Sequence, residues 1–199
     1  MKKLFNLFLI ATMAVAMVFV GCKQNDAKVD DDDDDNGGGV TSGFVIDAKN
    51  IASSSSNLVK VEASVEKKKY TATYSNKSFK LTLPNNISGI MSGRHSLFLA
   101  GLNKAGDWIG LFSCSGSKGG ISYYMEYSYA TENMVYTDEY EYDWNEYSVK
   151  STNNSNLKKG WNIEYCEEVI DESKKTVTFT TTTNKPAGVT FAWEFYSTE

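Results

Sequence analysis

Val59-Lys60-Val61-Glu62-Ala63-Ser64-Val65 alternates apolar and polar residues without a break. Period two puts every second side chain on the same face of a pleated strand, so this stretch reads as a half-buried β-strand. Phe79-Lys80-Leu81-Thr82-Leu83 repeats the pattern, and Pro84, which has no amide hydrogen to give a ladder, ends it. Asn85-Asn86 then favours a turn. Between the two alternating runs, Tyr70–Tyr74 is followed by Ser75-Asn76-Lys77-Ser78, which predicts a hairpin onto Phe79–Leu83.

The same period runs outward to the C-terminus. Leu97–Leu102, Trp108–Cys114 and Ile121–Tyr129 read as strands, with Gly116–Gly120 supplying the turn between the last two. Trp161, Ile163 and Tyr165 share one face of a strand opened by Gly160, the face assigned to the core. Val177, Phe179 and Thr181 share another, and Val189, Phe191, Trp193 and Phe195 follow a Pro186-Ala187-Gly188 turn. After residue 40 no window keeps an i, i+3, i+4, i+7 stripe over three turns, while Thr, Tyr, Val and Phe are abundant. The expectation is an all-β domain of nine or ten strands, residues 40–199, with no internal repeat. A two-sheet antiparallel β-sandwich is the first reading and a β-barrel the alternative, because either hides the sheet edges.

The N-terminus carries an address. Lys2 and Lys3 precede an apolar run from Leu4 to Val20, then Gly21 and Cys22. A short positive region before an apolar segment is the pattern of a secretory signal, here residues 1–21. Phe19-Val20-Gly21-Cys22 resembles a bacterial lipobox, which implies that Cys22 takes palmitate-type acyl chains and becomes the first residue of the mature lipoprotein. Several chains on one residue make a stable anchor where one binds marginally. Residues 22–39 hold six consecutive aspartates, Asp30–Asp35, before Gly37-Gly38-Gly39. Like charges in a block repel and cannot be buried, so this segment reads as a disordered, extended tether. An acidic stretch just after a lipidated cysteine also resembles the surface-export signal of Bacteroidetes lipoproteins, implying the outer membrane and its exterior face.

Charge narrows the partners. The chain has a net charge of −5; without Lys2 and Lys3 it is −7, of which the tether carries −5 and the domain −2. A nearly neutral body lacks the basic surface that nucleic acid requires. With Cys22 acylated, Cys114 and Cys166 remain, in an oxidising compartment that permits a bridge. Neither flank fixes the Cα separation within about 7 Å that a bridge demands, and two separate buried thiols is the favoured reading.

Leu157-Lys158-Lys159-Gly160-Trp161-Asn162 and the later Pro186-Ala187-Gly188 before Trp193 resemble a group of small Bacteroidales surface lipoproteins of uncharacterised function. The resemblance covers the C-terminal part of the domain and the lipoprotein head. It implies location and an all-β fold, and carries over no catalytic or binding residues.

Chemistry-bearing patterns are sparse. His95 is the sole histidine, and Ser92-Gly93-Arg94 beside it brings neither an acid orienter nor a nucleophile elbow; a surface loop histidine is expected. One histidine and two distant cysteines do not make a zinc site, and no cofactor motif is present. Gly116-Ser117-Lys118-Gly119-Gly120 lacks phosphate-loop spacing and reads as a turn, and Lys67-Lys68-Lys69 as a solvated strand boundary. The stretch from Glu126 to Glu146 stands out: acids without a single basic residue, interleaved with tyrosines. Tyr140, Tyr142 and Trp144 share one strand face against Glu139, Glu141 and Asp143. Those three aromatics are the candidate ligand-binding residues, rings to stack a sugar beside acids to take its hydroxyls; packing of the rings in the core is the competing account. The expected function is a non-enzymatic, surface-exposed binding or accessory module for a glycan or another surface protein. The alternative is a structural or interaction component of the envelope without a small ligand.

Overall fold

Two sheets and no helix are built over residues 43–53 and 55–198, which the computed structural model describes. The signal segment, Cys22 and the tether lie outside the described residues. In chain order the strands are β1 (Phe44–Ala48), β2 (Lys60–Val65), β3 (Lys68–Thr73), β4 (Phe79–Leu83), β5 (Arg94–Ser96), β6 (Phe98–Leu102) and β7 (Trp108–Lys118). They continue as β8 (Ile121–Ala130), β9 (Met134–Trp144), β10 (Tyr147–Leu157), β11 (Gly160–Asp171), β12 (Thr176–Thr182) and β13 (Ala192–Ser197). β1 and β4 pair antiparallel as a small sheet. The large sheet runs β3-β2-β6-β7-β8-β11-β12-β10-β9, with β13 added along β7 and β5 along β8.

The first interior is a sandwich. Ile46, Ala48, Phe79, Leu81 and Leu83 of the small sheet meet Val61, Ala63, Val65, Leu99, Phe112 and Phe195 of the large one, all of them buried. Each such aliphatic or aromatic side chain taken from water contributes roughly 1.5–3 kcal/mol. The alternation of residues 59–65 and 79–83 is what makes this possible, since both strands turn their apolar face inward.

The predicted hairpin between Tyr70–Tyr74 and Phe79–Leu83 does not form. Ser75 and Ser78 bridge across the turn, but β3 pairs with β2 and β4 with β1. The turn instead carries the chain from one layer of the sandwich to the other, which buries Phe79, Leu81 and Leu83 as a hairpin in one sheet would not. The turn after β7 is as expected but tighter. Lys118 pairs with Ile121, so Gly119-Gly120 alone spans it, both at positive φ (61° and 84°), the geometry of a two-residue hairpin that glycine accepts without strain.

A second interior lies on the other side of β8 and β11. β12 stops at Thr182, paired with Asn154 on one side and Tyr165 on the other. Beyond it β10 and β11 are joined by Lys158-Lys159 alone, and β8 and β9 by residues 131–133. Four strand spacings of about 4.8 Å separate β8 from β9 across a flat sheet, whereas four residues of chain span at most about 14 Å. The sheet therefore folds over, bringing the β9–β10 pair across from the β8–β11 pair. No ladder joins β9 to β5 among the described residues, so the curl is not a closed barrel. β8 and β11 become a wall shared by two interiors: Tyr127, Tyr129, Trp161 and Ile163 face the sandwich, while Tyr124, Ser128, Glu164, Cys166 and Glu168 face the fold-over, all buried.

Candidate functional site

Three places hold the chemistry that the sequence offers. On β9, alternation puts Tyr136, Asp138, Tyr140, Tyr142 and Trp144 on the inner face of the fold-over and Glu139, Glu141 and Asp143 in water. Tyr140 stacks on Tyr142 with ring centroids 6.1 Å apart and planes 18° apart. Tyr140 is 37% exposed and its two companions are half-buried, and β9 is the last strand of the large sheet, with no further strand paired to it among the described residues. Lys150 of β10 bridges to Glu139 and Glu141 on the outer face. The candidate aromatics are thus neither core residues nor a free platform.

The closed end of the fold-over holds a polar cluster that sequence reasoning missed. Glu164 is fully buried, and its Oε2 accepts from Arg94 Nε at 2.9 Å and Ser128 Oγ at 2.5 Å. Its Oε1 has no donor. Arg94 also donates to Ser96 Oγ at 3.0 Å, lies 4.0 Å from Glu126 Oε2 and sets its guanidinium 5.2 Å above the Tyr136 ring. That last contact joins β5 to β9 across the fold-over. Desolvation pulls the Arg94 pKa down, but Glu164 and then Glu126 outweigh it and hold it above its ordinary value. Crowding by protein lifts Glu126 above the usual carboxylate range, against Arg94 and helped by Glu164, although half of its side chain still reaches solvent. Glu168, at the wider end, accepts from Tyr124 Oη at 2.7 Å and is also raised by burial. A mostly enclosed, internally paired cluster of this kind braces the fold-over; only Glu126 opens to solvent.

The third place is where the two short links meet the sandwich. Phe44, Asn85, Asn86, Lys159, Gly160 and Trp161 line an open recess of about 490 Å³. That volume falls in the range of small-molecule sites, roughly 300–1,000 Å³. Trp161 is half-buried and held by three contacts: its Nε1 donates to the Pro84 carbonyl at 2.8 Å, Phe44 stacks on it at 5.6 Å, and Tyr129 meets it edge-on at 5.2 Å. Gly160, at φ 99°, turns the chain into β11, and a side chain there would project into open space, with the Asn85 carbonyl 4.0 Å away. Asn162 holds the link closed, donating to the carbonyls of Lys158 and Gly160 and accepting from the Lys158 amide. Among the described residues, the Lys159 ammonium and the Asn85 and Asn86 side-chain amides make no hydrogen bond or ion pair.

Trp161, Ile163 and Tyr165 do face the sandwich, as alternation predicts, but they are half-buried; Glu164 on the opposite face is the enclosed residue. His95 is not in a loop. It lies in β5 with Nδ1 3.1 Å from Glu66 Oε1 and Nε2 2.8 Å from the Met91 carbonyl, tying the β2–β3 turn to the loop before β5. Cys114 and Cys166 are free and buried, and burial pushes the Cys114 thiol up to about 12. Among the described residues no group of three or more His, Cys, Asp and Glu is placed to hold a metal ion. No protein-family model, curated protein or solved structure matches the chain.

Proposed function

We propose that the chain is a lipoprotein, anchored at Cys22 in the outer membrane and facing outward, whose domain binds a glycan without transforming it. The recess at Trp161 is the observation that carries the binding reading. A rigid aromatic wall offers a face to the apolar side of a sugar ring, while two free amides and an ammonium offer hydrogen bonds around it. The lining contains no carboxylate, imidazole or thiol, hence no pair of groups suited to passing a proton through a glycosidic bond. Holding a ligand is what this set does well.

The test is a glycan array read with the full chain in detergent, beside an Asn86→Trp variant. Asn86 is exposed, so the larger side chain fills the recess without entering the core. Binding by the wild type and its loss in the variant are expected; a wild type that binds no glycan sinks the reading.

A second reading, an interaction component with no small ligand, is favoured by β9. Its outer edge is unpaired among the described residues and carries Glu139, Glu141 and Asp143 on the solvent face. Such an edge can add a strand from a basic partner while repelling copies of itself. Capture of a lysine-rich extended peptide that is lost on charge reversal of those acids supports it.

A further inference from the structure

The donor and acceptor inventory of the recess says more than that it suits a sugar. An ammonium has three donors and no acceptor, and Lys159 is the sole charged residue of the lining. Lys158, the residue before it, is also exposed but is not part of the lining. The Lys159 main-chain amide is held at 2.9 Å by Asn133 Oδ1, which fixes where the side chain leaves the link. No acidic residue lines the recess, although Glu132 is the chain neighbour of the Asn133 that holds the Lys159 amide. The hydroxyl and ring oxygens of a neutral sugar can accept from the ammonium, but they bring no charge to set against it. A ligand carrying a carboxylate or sulfate supplies both the acceptors and the opposite charge, and hydrogen bonds between two ionised partners are the stronger ones.

We propose, building on the glycan-binding reading above, that the recess takes an anionic saccharide: a pyranose whose apolar face lies on the Phe44–Trp161 wall and whose carboxylate or sulfate pairs with Lys159. Asn85 and Asn86 then take the ring hydroxyls. The charge pair selects the acidic sugar, and the rings supply contact common to all sugars.

Titration of the full chain in detergent, with matched acidic and neutral oligosaccharides, tests this. The probes are oligogalacturonide against its methyl ester, sialyllactose against lactose, and a heparin hexasaccharide against its desulfated form. At least one acidic member is expected to bind about tenfold or more tightly than its neutral partner, the scale of one charge-assisted hydrogen bond. Lys159→Gln should erase that preference, bringing the acidic and neutral partners to equal affinity, and raised salt should weaken the acidic member far more than the neutral one. Inorganic sulfate and acetate alone should not compete at millimolar concentration, since they lack the ring. Equal binding of acidic and neutral partners, or a preference that survives Lys159→Gln, overturns the anionic assignment and leaves the recess as a neutral-sugar site. Loss of the preference on Asn86→Trp places it in the recess. No binding of any member by the wild type overturns both this proposal and the one it rests on.

Discussion

Glu164 shows how much one side chain can organise. It is fully buried, pairs with Arg94 and Ser128, and lies directly opposite Glu126 across the β8–β11 ladder. Removing one partner of a buried ion pair leaves an uncompensated charge, which costs about 3–5 kcal/mol, whereas replacing both by apolar residues of similar size is often neutral. Arg94→Met alone should therefore lower the unfolding free energy by about 3 kcal/mol, and Arg94→Met with Glu164→Leu should restore most of it. Denaturant melts decide; an Arg94→Met protein within about 1 kcal/mol of wild type would show that the pair is not a brace. The raised Glu168 carboxyl gives a separate prediction. Burial lifts it, so in the native state it holds a proton that the unfolded chain has already released. Between the unfolded value near 4.3 and the raised native value, the folded state binds more protons, and this part of the stability is lost as pH rises through that window. Glu168→Gln should flatten the fall relative to wild type. If the two melting profiles stay parallel from about pH 4 to pH 7, Glu168 is not a source of it.

Elements in this fold succeed or fail to show themselves in sequence according to how many faces they bury. At the bulge between Gly101 and Leu102, an added Cβ at Gly101 would lie 2.4 Å from the Phe195 ring and 2.7 Å from Leu58 Cδ1. Gly101→Ala should thus destabilise by about 1–3 kcal/mol through overpacking, while Gly106→Ala, in a turn with open space around it, should cost less and act only through its positive φ. Thermal melts of the two variants check the ranking. Strands with one buried face, such as β2 and β4, alternate cleanly and were legible as they stand. β8 was legible as a strand but not as a shared wall, because tyrosines on both its faces read as one aromatic run. β10 escaped notice altogether: its inner face is apolar at the ends, with Tyr147, Val149 and Leu157 buried, but polar in the middle, where Ser151, Asn153 and Ser155 remove the hydropathy contrast that period two needs. The recess was half legible. Gly160 and Trp161 stood out, but only the tertiary fold brings Phe44 and Asn85-Asn86 to them, and no local pattern announces that meeting.

At the scale of the whole chain the question is what the acidic tether does for the domain behind it. The tether carries −5 and the domain −2, so most of the mature charge lies in a short stretch beside Cys22. A block of aspartates has no apolar surface with which to pack. Folding should therefore be indifferent to the tether. On the proposed lipoprotein reading the run sits just past the lipid, a position suited to recognition by export machinery, which can read charge without reading shape. Replacing Asp30–Asp35 by serine should leave the melting temperature of the domain within about 2 °C of wild type, since a charged run without apolar side chains contributes no more than about 0.5 kcal/mol. The same variant should lose most of its susceptibility to added protease on intact cells while remaining in the membrane fraction, because the Cys22 anchor is untouched. Cys22→Ala should do the reverse and leave the membrane. A serine variant still fully protease-accessible on intact cells would remove the export role from the aspartates, and a lowered melting temperature would mean that they pack against the domain after all.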